Sequence, residues 1–314
     1  MALRVVDVSG LATIQDLGRK GWRRFGVPAS GPMDVFAFHA ANALAGNPAE
    51  CALIEIGLGD ATVQAMQDCV IAVTGVGYKL SVYIWKFPLW SSFFVRAGWK
   101  IHLNKTDEGM WAYLAVAGGI QTQPALGSHS TYLRGALGGF NGGQLQTGDV
   151  VRTAVLSHVP HELAARSLQE GARPDYAEHP IIDAIMGPQT KYFTDESLQM
   201  FLSNEYSVSP TSDRMGYRLE GPPLTRRGKT ELISEGMTFG AIQVPSNGQP
   251  IVMMADCPTT GGYPKIGTVA SADLPLLAQC VPNKNKFHFR GTTVAKAQKK
   301  YRKMMSGLSK IVEE

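Results

Sequence analysis

The amino-acid sequence predicts a mainly β protein with two domains. Many short segments of the first half are rich in Val, Ile and aromatic residues and are separated by Gly, Asp or Asn, a pattern typical of short strands joined by turns. Glycine makes up 34 of the 314 residues without a strict period, which indicates many turns. A chain of this length is long enough for two domains. Together these observations favour a barrel or a sandwich over a doubly wound sheet.

The predicted elements follow from these patterns in chain order. In the first half, strands are predicted at residues 3–8, 52–56, 70–74, 80–84, 92–95, 100–103, 111–117 and 149–153. One helix interrupts them: Pro32 and Asp34 are start signals, an apolar stripe at helical spacing begins at Val35, and Gly46 with Pro48 ends it. In the second half, strands are predicted at residues 181–186, 232–234, 239–244, 250–255 and 286–289, and helices ending near 201 and spanning 272–279 and 295–311.

The domain organisation is predicted from a change of composition. Between residues 156 and 179 polar, turn-rich sequence replaces the strand-like pattern, as in a linker between domains. We therefore expect a first domain over residues 1–156, a linker over 157–179, a second domain over 180–292 and a basic C-terminal helix over 293–314.

Composition and missing motifs exclude several functional classes. Lys and Arg number 30 and Asp and Glu 26, so the net charge of +4 is too small and too dispersed to predict nucleic-acid binding. The four cysteines are widely spaced, which disfavours a disulfide framework or a zinc ribbon, and no metal site is predicted. The sequence contains no P-loop, dinucleotide fingerprint or nucleophile elbow. A signal peptide and a membrane-spanning segment are not recognisable, so we expect a cytoplasmic protein.

Two polar, glycine-containing segments of the first half are candidate ligand sites. After Gln15 and Asp16, Gly18 would let the backbone approach a ligand, and Arg19 offers a planar fork for a carboxylate or phosphate. The alternative is an Asp16–Arg19 ion pair that braces a turn. In the other segment, backbone N–H groups and hydroxyls could cradle an anion, the alternative being a hairpin with hydroxyl-capped turns. The residues of this cradle are Gly127, Ser128, Ser130 and Thr131.

Two further candidates lie in the second half. Arg214 could bind a substrate carboxylate, or it could belong to a structural ion-pair network. Asp256 ends a predicted strand and precedes hydroxyls and two glycines, so it could act as a general base beside an oxyanion-binding loop. It could equally cap the turn by accepting hydrogen bonds from nearby N–H groups. The loop residues are Thr260, Gly261, Gly262 and Tyr263.

These segments together resemble the KipA family, also described as the allophanate-hydrolase-subunit-2-like, biotin-dependent carboxyltransferase family. The resemblance spans roughly residues 3–295 and rests on several ordered, multi-residue motifs. The matching motifs are residues 13–19, 26–28, 41–42, 113–120, 126–128, 130–131, 212–219, 242–245 and 259–264, together with Gly31, Asp34 and Asp256.

The resemblance implies a fold and a function. It implies two tandem cyclophilin-like β-barrel domains with a few short helices. Similar proteins pair with a KipI-like subunit and a LamB/YcsF-like subunit in an ATP-dependent 5-oxoprolinase, which opens 5-oxo-L-proline to L-glutamate, with ATP bound by the complex. One alternative is a biotin-dependent carboxyltransferase subunit acting on urea or a similar amide, with no biotin attached to this chain. A second is a regulatory antagonist of a kinase inhibitor.

The expected site combines these residues. Asp256 and Arg214 are the predicted catalytic residues, and the cradle is the predicted binding site for an anion or nucleotide. The predicted substrate-binding residues are Gln15, Asp16, Arg19, Gln243, Thr260, Gly261, Gly262 and Tyr263. The sequence departs from the family pattern near Gly143, where an arginine is expected, and in the unusually aromatic segment 82–95, which could pack on a partner or on the second barrel.

Overall fold

The chain folds into two compact units formed from interleaved segments. A computed structural model describes residues 2–154, 158–228 and 232–313. The first unit comprises Met1–Lys20, Ser30–Pro174 and Ser306–Glu314, and the second comprises Gly21–Ala29 and Asp175–Met305. The predicted boundary between residues 156 and 157 lies outside the described residues.

Strands dominate both units, and the helices are few. The first thirteen strands are β1 (Ala2–Val8), β2 (Leu11–Gln15), β3 (Leu53–Gly57), β4 (Ala61–Ala65), β5 (Cys69–Gly75), β6 (Tyr78–Val82), β7 (Trp85–Phe87), β8 (Ser91–Val95), β9 (Lys100–Lys105), β10 (Trp111–Val116), β11 (Ile120–Gln121), β12 (Val150–Thr153) and β13 (Arg166–Leu168). The others are β14 (Ile181–Met186), β15 (Glu205–Val208), β16 (Gly216–Glu220), β17 (Glu235–Gly236), β18 (Ala241–Gln243), β19 (Ile251–Met253), β20 (Thr260–Gly261), β21 (Lys265–Val269), β22 (Lys286–Thr292) and β23 (Ile311–Glu313). The α-helices are α1 (Val35–Leu44), α2 (Asp195–Ser203), α3 (Leu274–Ala278) and α4 (Val294–Ser306).

Two seven-stranded antiparallel sheets form the first unit. One has the order β11-β12-β1-β4-β9-β6-β7 and the other β2-β3-β10-β5-β8-β13-β23. In the first sheet, side chains alternate, so that Leu3 and Val5 are buried while Arg4 between them is exposed. Buried side chains of both sheets, such as Val63 and Leu114, belong to one hydrophobic core. One face of each sheet therefore encloses the core of this unit.

Helix α1 covers the opposite face of the second sheet. Asp34 caps it by accepting a hydrogen bond from the Ala37 N–H at 2.9 Å, and Thr74 of β5 donates to the Ala37 carbonyl at 2.6 Å. Because this sheet lies between the core and the helix, β3, β5 and β10 are buried along their whole length. The predicted helix start at Asp34 is confirmed.

The second unit contains a closed barrel. Its strand order is β14-β21-β18-β19-β16-β15-β22, and the parallel pair β14–β22 closes it. The short strands β17 and β20 pair with each other. The N-terminal segment Gly21–Ala29 belongs to this unit although it is far from it in sequence.

The prediction of a mainly β fold with two β units and a few short helices is confirmed, although some boundaries differ. Residues 158–174 of the predicted linker belong to the first unit, where β13 pairs with β8 and β23. The strand predicted at 232–234 is wrong, because strand β17 begins only at Glu235 and the Ile233 side chain is 91% exposed. The predicted C-terminal helix ends at Ser306 and is followed by a 3-10 turn over Gly307–Lys310. Among the described residues, no helix is both long enough and apolar enough to cross a bilayer.

Candidate functional site

A buried carboxylate lies at the end of β2 in the first unit. Asp16 Oδ1 accepts hydrogen bonds from Ser128 Oγ at 2.6 Å, Ser130 Oγ at 2.7 Å and the Gly18 N–H at 2.8 Å. Asp16 Oδ2 accepts one from the His129 N–H at 2.5 Å. Burial raises the pKa of Asp16, but these four hydrogen bonds lower it by more, so its pKa lies below the ordinary value. Asp16 is therefore held as an anion at neutral pH.

The residues predicted as an anion cradle surround this carboxylate. Ser128 and Ser130 are fully buried and donate to Asp16, and Thr131 Oγ1 donates to the Ile14 carbonyl at 3.0 Å. Gly127 lies in the turn before them with a φ of 77°. The hydroxyls of Ser128 and Ser130 are thus used within the unit to hold Asp16, as in the alternative of hydroxyl-capped turns, and binding of an anion or nucleotide by this loop stays a prediction.

Arg19 braces the loop that follows the cradle. The side chain is buried, and its Nη2 donates to the carbonyls of Ser130 and Leu137, the latter at 3.3 Å. A Cβ at Gly138 would overlap both Arg19 Nη2 and the Ser130 carbonyl. Gly138 also has a φ of 70°, so both space and backbone conformation require glycine there.

Gln15 connects the two candidate segments of the first half. Its Nε2 donates to the Thr131 carbonyl at 3.3 Å, and its Oε1 accepts from the Gly31 N–H at 3.2 Å. The structure therefore brings Gln15, Asp16 and Arg19 together with the cradle. We call Gln15, Asp16, Arg19, Ser128 and Ser130 the first cluster.

A buried glutamate beside this region was missed by sequence reasoning. Glu55 is fully buried in β3 and accepts hydrogen bonds from the Met33 N–H at 2.8 Å and the Tyr113 hydroxyl at 2.9 Å. The same hydroxyl accepts from the Asp34 N–H at 2.7 Å. Burial, followed by the charges of Glu55 and Asp34, raises the pKa of Tyr113. The available signal was a single Glu within the apolar segment Leu53–Gly57.

In the second unit the two predicted catalytic residues bind each other. Arg214 Nε donates to Asp256 Oδ2 at 2.9 Å and Arg214 Nη2 to Asp256 Oδ1 at 3.2 Å, with the side chains only 5% and 6% exposed. The Asp256 N–H also donates to the Arg214 carbonyl at 2.8 Å. This bidentate geometry is the strong form of a carboxylate–guanidinium pair, so Asp256 can act as a base only if the pair opens.

Arg23 lies beside this pair and was also missed. It belongs to the N-terminal segment of the second unit, and its Nη2 donates to the carbonyls of Met237 at 2.5 Å and Pro258 at 3.1 Å. Its Nη1 lies 3.8 Å from Cys257 Sγ. Burial raises the pKa of Cys257 by more than Arg23 lowers it, so the thiol is neutral. The only sequence signal was the run of two arginines between Trp22 and Phe25.

The predicted loop residues of the second half meet at the small sheet β17–β20. Gln243 Nε2 donates to the Tyr263 carbonyl at 3.1 Å. A Cβ at Gly261 would lie 2.6 Å from Gln243 Nε2, so a larger residue there would displace the Gln243 side chain. The side chain of Tyr263 is 49% exposed and Thr260 is exposed. The second cluster is Arg23, Arg214, Gln243, Asp256 and the loop Thr260–Tyr263.

A cavity of about 340 Å³ opens in the first unit beside the cradle. Its wall includes Thr122, Gly138, Gly139 and Arg152. Thr122 Oγ1 hydrogen-bonds to His129 Nδ1 at 2.9 Å, which connects the wall to the residue between Ser128 and Ser130. The cavity is large enough for a small organic ligand.

The family model and the similar proteins indicate the same family for this chain. The family model described as the carboxyltransferase domain, subdomain A and B, matches residues 25–291. The C subunit of the 5-oxoprolinase of Haemophilus influenzae is 38% identical over 99% of this chain and 98% of that protein. The C subunit of the 5-oxoprolinase of Escherichia coli K12 is 37% identical over 95% of this chain and 93% of that protein.

A solved structure extends the likeness to a larger enzyme. The crystal structure of the Kluyveromyces lactis urea amidolyase superposes with a TM-score of 0.89 and 26% identity. The match covers 100% of this chain and 21% of that one. The two β units described above therefore recur inside a much longer polypeptide.

Proposed function

Because the chain belongs to the carboxyltransferase family of subdomains A and B, we propose that it is a subunit of an ATP-dependent 5-oxoprolinase that opens 5-oxo-L-proline to L-glutamate. The proposal rests on the 38% identity to the C subunit of a bacterial 5-oxoprolinase over nearly the full length of both chains. The identity is also higher than the 26% identity to the Kluyveromyces lactis urea amidolyase, which favours this role over that of the amidolyase.

The proposed complex contains a KipI-like and a LamB/YcsF-like subunit. Both bacterial relatives are single subunits of a 5-oxoprolinase, which supports the presence of other subunits. The first cluster supports the same view, because the hydroxyls of Ser128 and Ser130 hold Asp16 and do not fit a phosphate in this arrangement. We therefore assign ATP to the complex and not to this loop. When bound there, ATP would supply the activation that a resonance-stabilised lactam requires.

The role proposed for this chain is to bind the substrate amide and to provide a proton acceptor. The exposed loop Thr260–Tyr263 and the amide of Gln243 offer hydrogen-bonding groups for a small cyclic amide. Asp256 would accept a proton from the attacking water once its pair with Arg214 opens, and the freed guanidinium could then bind the substrate carboxylate. Since that pair is closed in the isolated chain, we propose that activity requires the partner subunits.

Reconstitution tests the proposal. The three purified subunits are mixed with 5-oxo-L-proline and ATP, and glutamate and inorganic phosphate are measured. We expect both products only when all three subunits are present. Turnover by this chain alone would disprove the need for partners, and a complete complex that releases no glutamate would disprove the function.

A second candidate is carboxyl transfer from biotin to urea or a similar amide. The description of the family and the likeness to the urea amidolyase favour it. In this reaction the carboxyl group would come from a carboxylated biotin carrier. Urea-dependent loss of the carboxyl group from such a carrier, in the absence of 5-oxoproline turnover, would favour this candidate.

A further inference from the structure

An exposed group of aromatic side chains lies at the end of the β6–β7 hairpin in the first unit. Tyr83, Ile84 and Trp85 are 57%, 73% and 46% exposed. The rings of Tyr83 and Trp99 stack at 5.4 Å, and Trp85 lies 5.1 Å from Trp99. We call these four residues the aromatic patch. Clustered exposed aromatic side chains of this kind are typical of interaction sites.

The patch borders an open sheet edge. Among the described strands, β7 ends its sheet and pairs only with β6, in the register Val82–Trp85, Ser81–Lys86 and Leu80–Phe87. In a hairpin with a two-residue loop, the residues flanking the loop form a hydrogen-bonded pair. Ser81 and Lys86 form the next pair and therefore exchange no hydrogen bond with each other. The N–H and C=O of Lys86 consequently face the open edge. This edge can accept one more strand.

The charges around the edge are positive. Strands β6, β7 and β9 contain no acidic residue, and Lys79, Lys86 and Lys100 are exposed on them. Arg96 lies over the Trp99 ring at 5.7 Å. The acids in the turns that flank these strands are Asp60 and Asp68, which accept hydrogen bonds from the Lys105 and Ala97 N–H groups at 2.6 and 2.7 Å, and Asp107 and Glu108 after β9. The positive charge therefore lies on the strands themselves. A segment that pairs with this edge is therefore favoured if it is acidic.

A second copy of the chain fits this edge poorly. Two β7 strands paired about a two-fold axis would bring Lys86 opposite the Lys86 of the other copy, because Lys86 is the central residue of the three-residue strand. Like charges directly opposite each other destabilise a strand pair. The edge thus favours a different protein.

We propose that the β7 edge and the aromatic patch bind an acidic, strand-forming segment of the KipI-like subunit. The segment adds to the first sheet beside β7, its acidic side chains face Lys86 and Arg96, and an apolar side chain covers Tyr83 and Trp85. The identity of the partner rests on the proposed function, while the location and chemistry of the surface rest on the structure.

The test measures binding of the purified KipI-like subunit by calorimetry. Lys86→Glu is expected to weaken binding at least tenfold, whereas Lys296→Glu, at an exposed lysine of helix α4 in the second unit, is expected to change it less than twofold. Lys86→Gln removes the charge but keeps the edge N–H, and Lys86→Pro removes both. Binding by the Pro variant at least fivefold weaker than by the Gln variant, with equal melting temperatures, would support strand addition.

Other outcomes overturn the proposal. Equal affinity of wild type and Lys86→Glu would exclude this edge as the binding surface, even if the reconstituted complex makes glutamate. Concentration-dependent dimerisation of the chain alone, abolished by Lys86→Glu, would assign the edge to a second copy. Binding of a single-stranded DNA oligonucleotide that Trp85→Ala abolishes would assign it to nucleic acid. A tight complex without oxoprolinase activity would disprove the proposed function but would not contradict the proposed docking surface.

Discussion

At the scale of single residues, the two clusters differ in how their carboxylates are stabilised. Asp16 is held by hydroxyl and N–H donors, whereas Asp256 is held by a guanidinium. The donors to Asp16 are neutral groups, whereas the partner of Asp256 carries the opposite charge. The two carboxylates should therefore respond differently to substitution and to pH.

Replacement of Asp16 by Asn should destabilise the protein by about 2–4 kcal/mol at pH 7, because buried hydrogen bonds to a charged acceptor are lost. The pKa of Asp16 is lowered in the folded state, so its contribution is present above the unfolded pKa and is lost as the pH falls below about 4. Urea unfolding of both proteins at pH 7 and pH 3.5 measures this, and the difference should shrink at the lower pH. Asp195→Asn, at an exposed ion pair, is the control and should cost less than about 0.5 kcal/mol.

The contributions of the Arg214–Asp256 pair to stability and to turnover can be measured separately. Asp256→Leu or Arg214→Met alone should destabilise the protein by about 3–5 kcal/mol, because one buried polar partner is left behind. The double variant Arg214→Met/Asp256→Leu should recover much of this loss in a double-mutant cycle. If the pair also serves catalysis, the double variant in the reconstituted complex should be folded and at least tenfold slower. Normal turnover by the folded double variant would make the pair purely structural.

At the scale of elements, the sequence predicted strands best where they are long and apolar. Strand β14 was predicted with its observed bounds, and the capping residue of α1 was identified, because β-branched runs and cap residues are local signals. Strands β11 and β13 have only two or three residues and are defined by pairing with distant segments, which no local pattern reveals. The contacts of Arg23 are equally non-local, since its acceptors lie more than 200 residues away.

The site could be predicted only in part, for the same physical reason. Its residue types and loops were identified from the sequence, and the structure joins Gln15 and Asp16 to the cradle loop, Arg214 to Asp256, and Gln243 to Tyr263. The pairing of Arg214 with Asp256 was not predicted, because each residue had a plausible local partner and the bidentate contact joins positions 42 residues apart. A distant pairing of two polar side chains leaves no periodic signal.

Alanine should destabilise the loop near the first cluster more at Gly138 than at Gly127. Gly138→Ala should destabilise by more than about 2 kcal/mol, since a left-handed backbone and an overlap with Arg19 and Ser130 act together. Gly127→Ala is the matched control: it has a φ of 77° and open space around the Cβ position, so about 1 kcal/mol is expected. Thermal unfolding compares the two, and equal losses would show that the backbone around Ser130 moves together with the Arg19 side chain to relieve the overlap.

At the scale of the whole molecule, each unit is assembled from segments that are not contiguous. The chain passes from one unit to the other at residues 20–21, 29–30, 174–175 and 305–306. Strand β23, near the C-terminus, pairs with β13 of the first unit, and Arg23, near the N-terminus, binds carbonyls of the second. Loss of either terminal segment should therefore weaken the unit that it completes.

This interleaving has a genetic consequence. A crossover between homologous genes at the codons for residues 174–175 would join a first unit to a second unit whose Gly21–Ala29 segment comes from the other parent. The contacts of Arg23 with the Met237 and Pro258 carbonyls would then join residues from two different parent proteins. We therefore expect recombination to exchange the whole coding region of this chain. Chimaeras made at residues 174–175 should give less soluble protein than matched chimaeras that also take residues 21–29 from the parent of the second unit.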